Sequence, residues 1–417
     1  MSIYSKLSSL LAAANNKTGE SDTTLTDAVQ TLIDGYGQGG GGDPDKWVRP
    51  SNYPDLDNIV LPNFLCTYLT YDLSKCNNPE DAFISIYFRG DTTANLIAER
   101  GHLTASGEFV ADKTYQSNDH WSSWTFCETL DAQYGTVQLW RIRQTDDTKQ
   151  PQFAFYGYDR VSGTSSTVQP CVEILHYAPS GTKFSTFGNG GVGKTFNLLS
   201  VKIISEDTTM SAYNTWSGAY NLRRFVIDTE NGSFADARNM IYYCINLIEA
   251  DFGNASFLAS NGLLQVQHCV SLRKLIFPTS LRVNAPTNVV GTCHKLEYLD
   301  LNNVDVSGVT NLQNGFIQNL YSLKELHMED LDFDADTSTS VFNAVSHMPR
   351  LEELYPPKIY RSQTWDMPTL SHDSLVRLFN TLPETESSKT VTIGSYNQSK
   401  LTAAEIAIAT GKGWTVA

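Results

Sequence analysis

Two stretches of the chain carry residue types at spacings that could do chemistry. The run Gly188, Asn189, Gly190, Gly191, Val192, Gly193, Lys194, Thr195 matches the phosphate-binding loop pattern position for position. That chemistry needs a hydrophobic strand before the glycines and a helix after the threonine, so that backbone amides and the helix N-terminus hold the phosphates. Here polar Thr182, Lys183 and Ser185 come before, and residues 196–204 are strand-like. A glycine-rich hairpin loop is therefore expected, with no nucleotide and no other cofactor. The second stretch is Asp332, Asp334 and Asp336, which follow Glu329 and Asp330 and are spaced like the first ligands of a calcium loop. Thr337 stands where such a loop needs glycine and Asn343 where it needs glutamate. These acids are expected to cap a return helix, where negative charge is favoured, and calcium binding is left open.

Other reactive side chains lack partners in sequence. His102 and the pair Asp119 and His120 fall among aromatics, without a nucleophile elbow, a zinc-protease helix motif or a cysteine–histidine arrangement. The seven cysteines (Cys66, Cys76, Cys127, Cys171, Cys244, Cys269, Cys293) include no pair two apart, which argues against both a disulfide framework and a zinc site. No enzyme activity is expected, and no metal apart from the calcium left open above.

The elements that must position any site are dominated by a repeat. Aligning on a leucine followed three and five residues later by apolar groups gives Leu222-Phe225-Ile227, Leu247-Ala250-Phe252, Leu272-Leu275-Phe277, Leu296-Leu299-Leu301 and Leu323-Leu326-Met328, with a degenerate copy at Leu351-Leu354-Pro356. The leading leucines are 25, 25, 24, 27 and 28 residues apart, within the roughly 20–29-residue period of leucine-rich repeats. Six residues before each leucine stand Trp216, Ile241, Val266, Val290, Ile317 and Val345; three before it stand Ala219, Cys244, Cys269, Cys293, Leu320 and Met348. Each repeat then reads as one strand plus a return segment that buries its apolar side only against the next copy. The upstream pair, three apart, reads as one face of a helical turn. The three cysteines in that column read as small buried hydrophobes.

Residues two and four after each leading leucine should project from the exposed strand face. The first column is Arg224, Glu249, Lys274, Tyr298, Glu325 and Glu353, and the second is Val226, Asp251, Ile276, Asp300, His327 and Tyr355. Arg224, Glu249 and Lys274 can compensate one another as a solvated ladder. Tyr298, His327 and Tyr355 form an aromatic cluster and are the candidate receptor contacts.

The remaining chain divides by composition. Residues 1–34 read as two short helices. The second has a capping box of Thr24 and Asp27, and its apolar stripe of Leu25, Val29, Leu32 and Ile33 is too small to fold alone and so needs a partner surface. Residues 35–46 are a glycine-rich linker. Residues 47–205 alternate short aromatic-rich runs with turn clusters, the pattern of an antiparallel β-sandwich or jelly roll. Residues 206–417 hold the repeats and a cap: a helix over 371–382, a strand over 390–393 and a final helix over 401–411 with its capping box at Thr402 and Glu405. The fold class expected is multi-domain α+β: helical anchor, β-sandwich, leucine-rich-repeat solenoid. A net charge of −15 argues against nucleic acid and anionic lipid as partners. No apolar run approaches the ~20 residues of a membrane span, and the N-terminus lacks the apolar core of a secretion signal.

Three stretches add a resemblance. Residues 7–14 with 22–37, followed by the glycines, resemble an N-terminal module of phage structural and fibre-type proteins. The repeats, with Ser371 to Leu375 and Lys400 to Val416, are similar to the BspA-like leucine-rich repeat proteins of bacteria and their phages. The resemblance covers more than half of the chain. It implies a virion protein, a tail or head fibre or appendage. Leu25, Val29, Leu32 and Ile33 would then attach the N-terminal helices to a capsid, tail or baseplate protein. The repeats would adhere to a host cell-surface glycan or protein. A homo-oligomer, trimer or ring, is expected, made in the host cytoplasm and carried on the extracellular particle. The alternatives are a decoration protein without receptor specificity and a surface-polysaccharide depolymerase.

Overall fold

Alternation, rather than helical period, governs the repeat region. In each strand that follows a leading leucine the middle residue is buried and its neighbours face outward: Ala250 between Glu249 and Asp251, Leu299 between Tyr298 and Asp300, Leu326 between Glu325 and His327. The return segments alternate as well. Val304 and Val306 point inward with Asp305 exposed between them, and Leu331 and Phe333 point inward beside Asp332 and Asp334. A period of two makes strands, and in the repeat region the chain coils as parallel strands.

The computed structural model describes residues 46–75, 83–90, 96–116, 125–144, 151–155, 170–181, 186–187, 197–206, 209–213, 215–257, 264–283, 289–309, 316–336, 342, 345–365 and 367–417. Two compact units are delimited, Met1–Tyr53 and Pro54–Ala417. The expected helices of residues 1–34 with Leu25, Val29, Leu32 and Ile33, the loop Gly188 to Thr195, and Asp119 with His120 lie outside the described residues.

The second unit contains a β-solenoid of about eight turns. Strands stack in parallel on three sides. On the first side Ser200–Ser205, Arg224–Thr229, Glu249–Asp251 and Lys274–Ile276 pair in sequence, followed by Tyr298–Asp300, Glu325–His327 and Glu353–Tyr355. On the second side Thr209–Ser211, Ser233–Asp236, Ser256–Phe257, Ser280–Arg282 and Val304–Asp305 pair, and on the third Val266–Gln267, Val290–Gly291, Ile317–Gln318 and Val345–Ser346. The leucine columns fill the interior: Leu222, Leu247, Leu272, Leu296, Leu323 and Leu351 have no exposed surface. Burying each such side chain is worth ~1.5–3 kcal/mol.

This corrects the expected fold class twice. The return segments are short strands, so the repeats are turns of a β-solenoid and not leucine-rich repeats with helical returns. Among the described residues only three short α-helices occur, His372–Thr381, Gly394–Gln398 and Ala403–Gly411. The three-residue spacing of Ile241 and Cys244, or Val266 and Cys269, comes from a corner and not from a helical turn. Between those inward residues the backbone turns through a left-handed residue: Gly218, Tyr243, His268, Thr292, Asn319 and His347, with φ between 58° and 73°. Their amides bond to the next turn, Tyr243 to the Gln267 carbonyl, His268 to Gly291 and Thr292 to Gln318, each at 3.0 Å.

Among the described residues no antiparallel sandwich is set apart from the solenoid. Cys171–Ala178 pairs antiparallel with Cys66–Asp72 on one edge and parallel with Ser200–Ser205 on the other. One nine-stranded sheet thereby runs from the antiparallel strands Phe109–Gln116, Leu96–Leu103, Val137–Gln144 and Cys66–Asp72 straight into the first four solenoid strands. One apolar core extends from Leu65 to Trp414, and a smaller one gathers Leu56, Ile59, Cys66, Tyr68, Leu139, Leu175 and Tyr177. On one face of that sheet Glu99 accepts hydrogen bonds from Arg141 Nε at 2.7 Å and Arg143 Nη2 at 3.2 Å.

The C-terminal end is closed as expected. His372–Thr381 is capped by Ser371, and Ala403–Gly411 by the reciprocal bonds of Thr402 and Glu405. Lys389–Thr392 and Trp414–Val416 extend the parallel stacking, and the Trp414 ring is buried. No helix among the described residues is long and apolar enough to cross a membrane.

Candidate functional site

The last three strands of the first side carry the aromatic cluster. Tyr298, His327 and Tyr355 come from separate turns, yet parallel pairing in register sets Tyr298 opposite Glu325 and His327 opposite Tyr355. The rings form one column. His327 and Tyr355 stack at 4.0 Å with planes 12° apart, and Tyr298 lies 5.4 Å from His327 at 48°. Tyr298 is 47% exposed. A fourth member comes from the cap: the Arg377 guanidinium lies 4.2 Å from the centre of the Tyr355 ring and bonds to Glu353 and to the Leu354 carbonyl. Arg377, Tyr355, His327 and Tyr298 therefore alternate cation or imidazole with phenol along the strand face.

The charge of His327 is set by its two carboxylate neighbours. Its Nε2 is 2.7 Å from Glu325 Oε1 and its Nδ1 is 3.2 Å from Glu329 Oε1. Both partners are pure acceptors when ionised, so only the imidazolium can donate to both. Burial disfavours that charge, but the bonds to Glu325 and Glu329 outweigh it and the His327 pKa is raised. Burial also opposes ionisation of Glu329, while bonds from its own amide, His327 and Asn302 hold its pKa below the usual carboxylate range. The Tyr298 phenol is pushed up by burial and by the negative charges of Asp300, Glu325 and Glu329.

The rest of the face is a set of ion pairs. Lys274 Nζ meets Glu249 at 2.5 Å, as column spacing implied. Arg224 does not join them; its Nη1 donates to both Asp57 carboxylate oxygens, at 3.0 and 3.1 Å. Among the described residues the three aspartates do not converge and none of them caps a helix. They belong to the strand-like alternation of the second side, where Asp332 bridges to Lys358 in the next turn. Asp332 pairs with the Lys358 side chain at 3.6 Å and accepts a hydrogen bond from the Tyr360 hydroxyl at 3.4 Å; Asp336 pairs with Arg361 at 3.0 Å. Among the described residues no group of three His, Cys, Asp or Glu side chains is placed to hold a metal ion. His102 is exposed on Leu96–Leu103.

Cys244, Cys269 and Cys293 are fully buried, and each thiol donates to a carbonyl of the preceding turn: Trp216 at 3.3 Å, Ile241 at 3.2 Å and Val266 at 3.6 Å. Burial pushes the Cys269 and Cys293 thiols well up.

Sequence reasoning missed two features. Arg377 and Glu329 complete the ring column, but neither occupies a repeat position that points to it. A second aromatic row lies at and just past the left-handed corners, with Tyr243 stacked on His268 at 4.2 Å and, two residues beyond the corners Thr292 and Asn319, Tyr321 beside His294 at 4.8 Å. Burial lowers the pKa of both histidines, with His268 adding to the effect at His294. Near that row a cleft of about 410 Å³ is lined by Tyr321, His347, Pro349, Met367 and Pro368 among others. Comparison with protein-family models, curated proteins and solved structures returned no match.

Proposed function

We propose that the protein is a non-catalytic adhesion protein of a phage particle, and that the Tyr298–His327–Tyr355 face contacts a glycan or protein of the host surface. The observation that carries the binding reading is the ring column itself: three rings fixed by parallel strands, ending in a half-exposed tyrosine. Rings held rigidly on strands lose little side-chain entropy on binding, which is why exposed aromatics serve as contact anchors. The particle assignment rests on the resemblance of the N-terminal stretch, with Leu25, Val29, Leu32 and Ile33 as its attachment stripe to a capsid, tail or baseplate protein.

The test replaces Tyr298, His327 and Tyr355 together by alanine in the full-length protein. Adhesion to host cells should fall, while the melting temperature stays within a few degrees because no leucine column is touched. Unchanged adhesion by the folded variant refutes the contact face. In the particle, deletion of residues 1–34 should abolish incorporation; retained incorporation refutes the anchor.

A further inference from the structure

The ring column is closed at one end and open at the other. At the closed end Arg377 lies over Tyr355 and is paired with Glu353, so the protein's own guanidinium fills the last place. His327 follows, with a carboxylate on each nitrogen, and then Tyr298. Among the described residues no lysine or arginine side chain lies over Tyr298. The nearest basic side chain in its column, Lys274, is committed to Glu249. The groups around that open end are acidic: Asp300 on the same strand, with Glu325 and Glu329 beside His327. A half-exposed phenol in a field of carboxylates attracts organic cations through the face of the ring, and the attraction grows as the cation is desolvated. A guanidinium suits such a place better than an ammonium, because it is planar, weakly hydrated and able to stack while it bonds to carboxylates.

We infer that the Tyr298 end of the column binds an arginine side chain of a basic protein segment, continuing the alternation of cation and ring that starts at Arg377. This rests on the adhesion reading above and gives its partner a chemistry. Charge complementarity supports the choice, since the chain carries a net charge of −15 and long-range attraction favours a basic partner. The groups facing His327 are Glu325, Glu329, Tyr298 and Tyr355, with Asp300, Glu353 and Arg377 at the rim. Protonation of His327 places a like charge beside the incoming guanidinium, so binding should weaken as pH falls through the histidine's titration.

The experiment titrates full-length protein by calorimetry at low salt and pH 8 with a blocked Gly-Arg-Gly-Arg-Gly peptide. A second titration uses the same peptide with citrulline, the uncharged isostere, in place of arginine. The arginine peptide should bind at least roughly fivefold more tightly than the citrulline peptide, the scale of one cation–ring contact. Tyr298→Ala should weaken it by a similar factor, Tyr298→Phe should retain it, and Tyr396→Ala, at an exposed tyrosine of the cap, should leave it unchanged. Lowering the pH to 6 should weaken it further. Equal binding of both peptides, no effect of Tyr298→Ala, or displacement by phosphocholine at equal concentration overturns the inference. If the triple alanine variant loses adhesion while the arginine peptide shows no preference, the contact face stands and the arginine chemistry falls. If the peptide binds at Tyr298 but the triple variant still adheres, the arginine site stands and the adhesion role of the face falls.

Discussion

Thr292 and Asn319 occupy equivalent corners in neighbouring turns, with φ of 58° and 59°. For an L-residue the left-handed conformation costs roughly 1–2 kcal/mol, and asparagine recovers part of that through local hydrogen bonding. A β-branched residue recovers none and is a strong outlier there. Both positions are half-buried, and both donate their amide to the next turn, to Gln318 at 3.0 Å and to Ser346 at 3.2 Å. The comparison therefore isolates backbone preference from packing. Asn319→Thr should lose about 1 kcal/mol of stability, and Thr292→Asn should gain about the same. In a unit this large that corresponds to only ~2 °C in melting temperature, so urea titration with an unchanged slope is the better assay. Thr292→Gly should gain less than Thr292→Asn, because glycine's freedom in the unfolded chain offsets part of the relief. The reasoning is refuted if both single exchanges move stability in the same direction, or if neither moves it. Either result would mean that the corner is not what limits these positions.

Two further outcomes follow from the described geometry. NMR titration of His327 should give a pKa above the ordinary value of 6.5, and Glu325→Gln or Glu329→Gln should bring it back down. Because the folded pKa is raised, the stability this contact contributes is fully present below about 6.5 and is lost as pH rises through the folded value. The melting difference between the protein and His327→Gln should shrink over that window, and a difference that grows with pH would contradict the assignment. Burial pushes the Cys66 thiol up to about 12 and raises Cys171, Cys269 and Cys293 as well. Since the thiolate is the reactive form, iodoacetamide should modify these four only at the rate of unfolding; rapid labelling of folded protein would show that the interior is open.

The repeat could be read from the chain because burial leaves a periodic trace. Leu222, Leu247, Leu272, Leu296, Leu323 and Leu351 recur at nearly constant spacing, and all six are interior. The cap was equally legible, since Ser371, Thr402 and Glu405 act through neighbours three residues away and local bonds need only local sequence. The strand-face positions of Tyr298, His327 and Tyr355 followed from the same register. What the spacing left undecided was the path between buried positions. Ile241 and Cys244 are three apart, which suits one turn of helix and equally suits a strand end, a left-handed corner and a second inward residue. Periodicity reports which side chains are buried and not the conformation that buries them. Tyr243 at φ 59° and Cys244 bonded to the Trp216 carbonyl show that the corner prevails, because its amides and thiols pair with the adjacent turns. The same limit explains the junction. Cys171–Ala178 joins antiparallel and parallel neighbours in one sheet, and no local signal marks a strand for two partners far apart in the chain. Asp57 reaching Arg224 and Arg377 covering Tyr355 are likewise tertiary outcomes. Their charges were visible in sequence, but pairing depends on which surfaces folding brings within a few ångströms, and coiling around a shared core determines that.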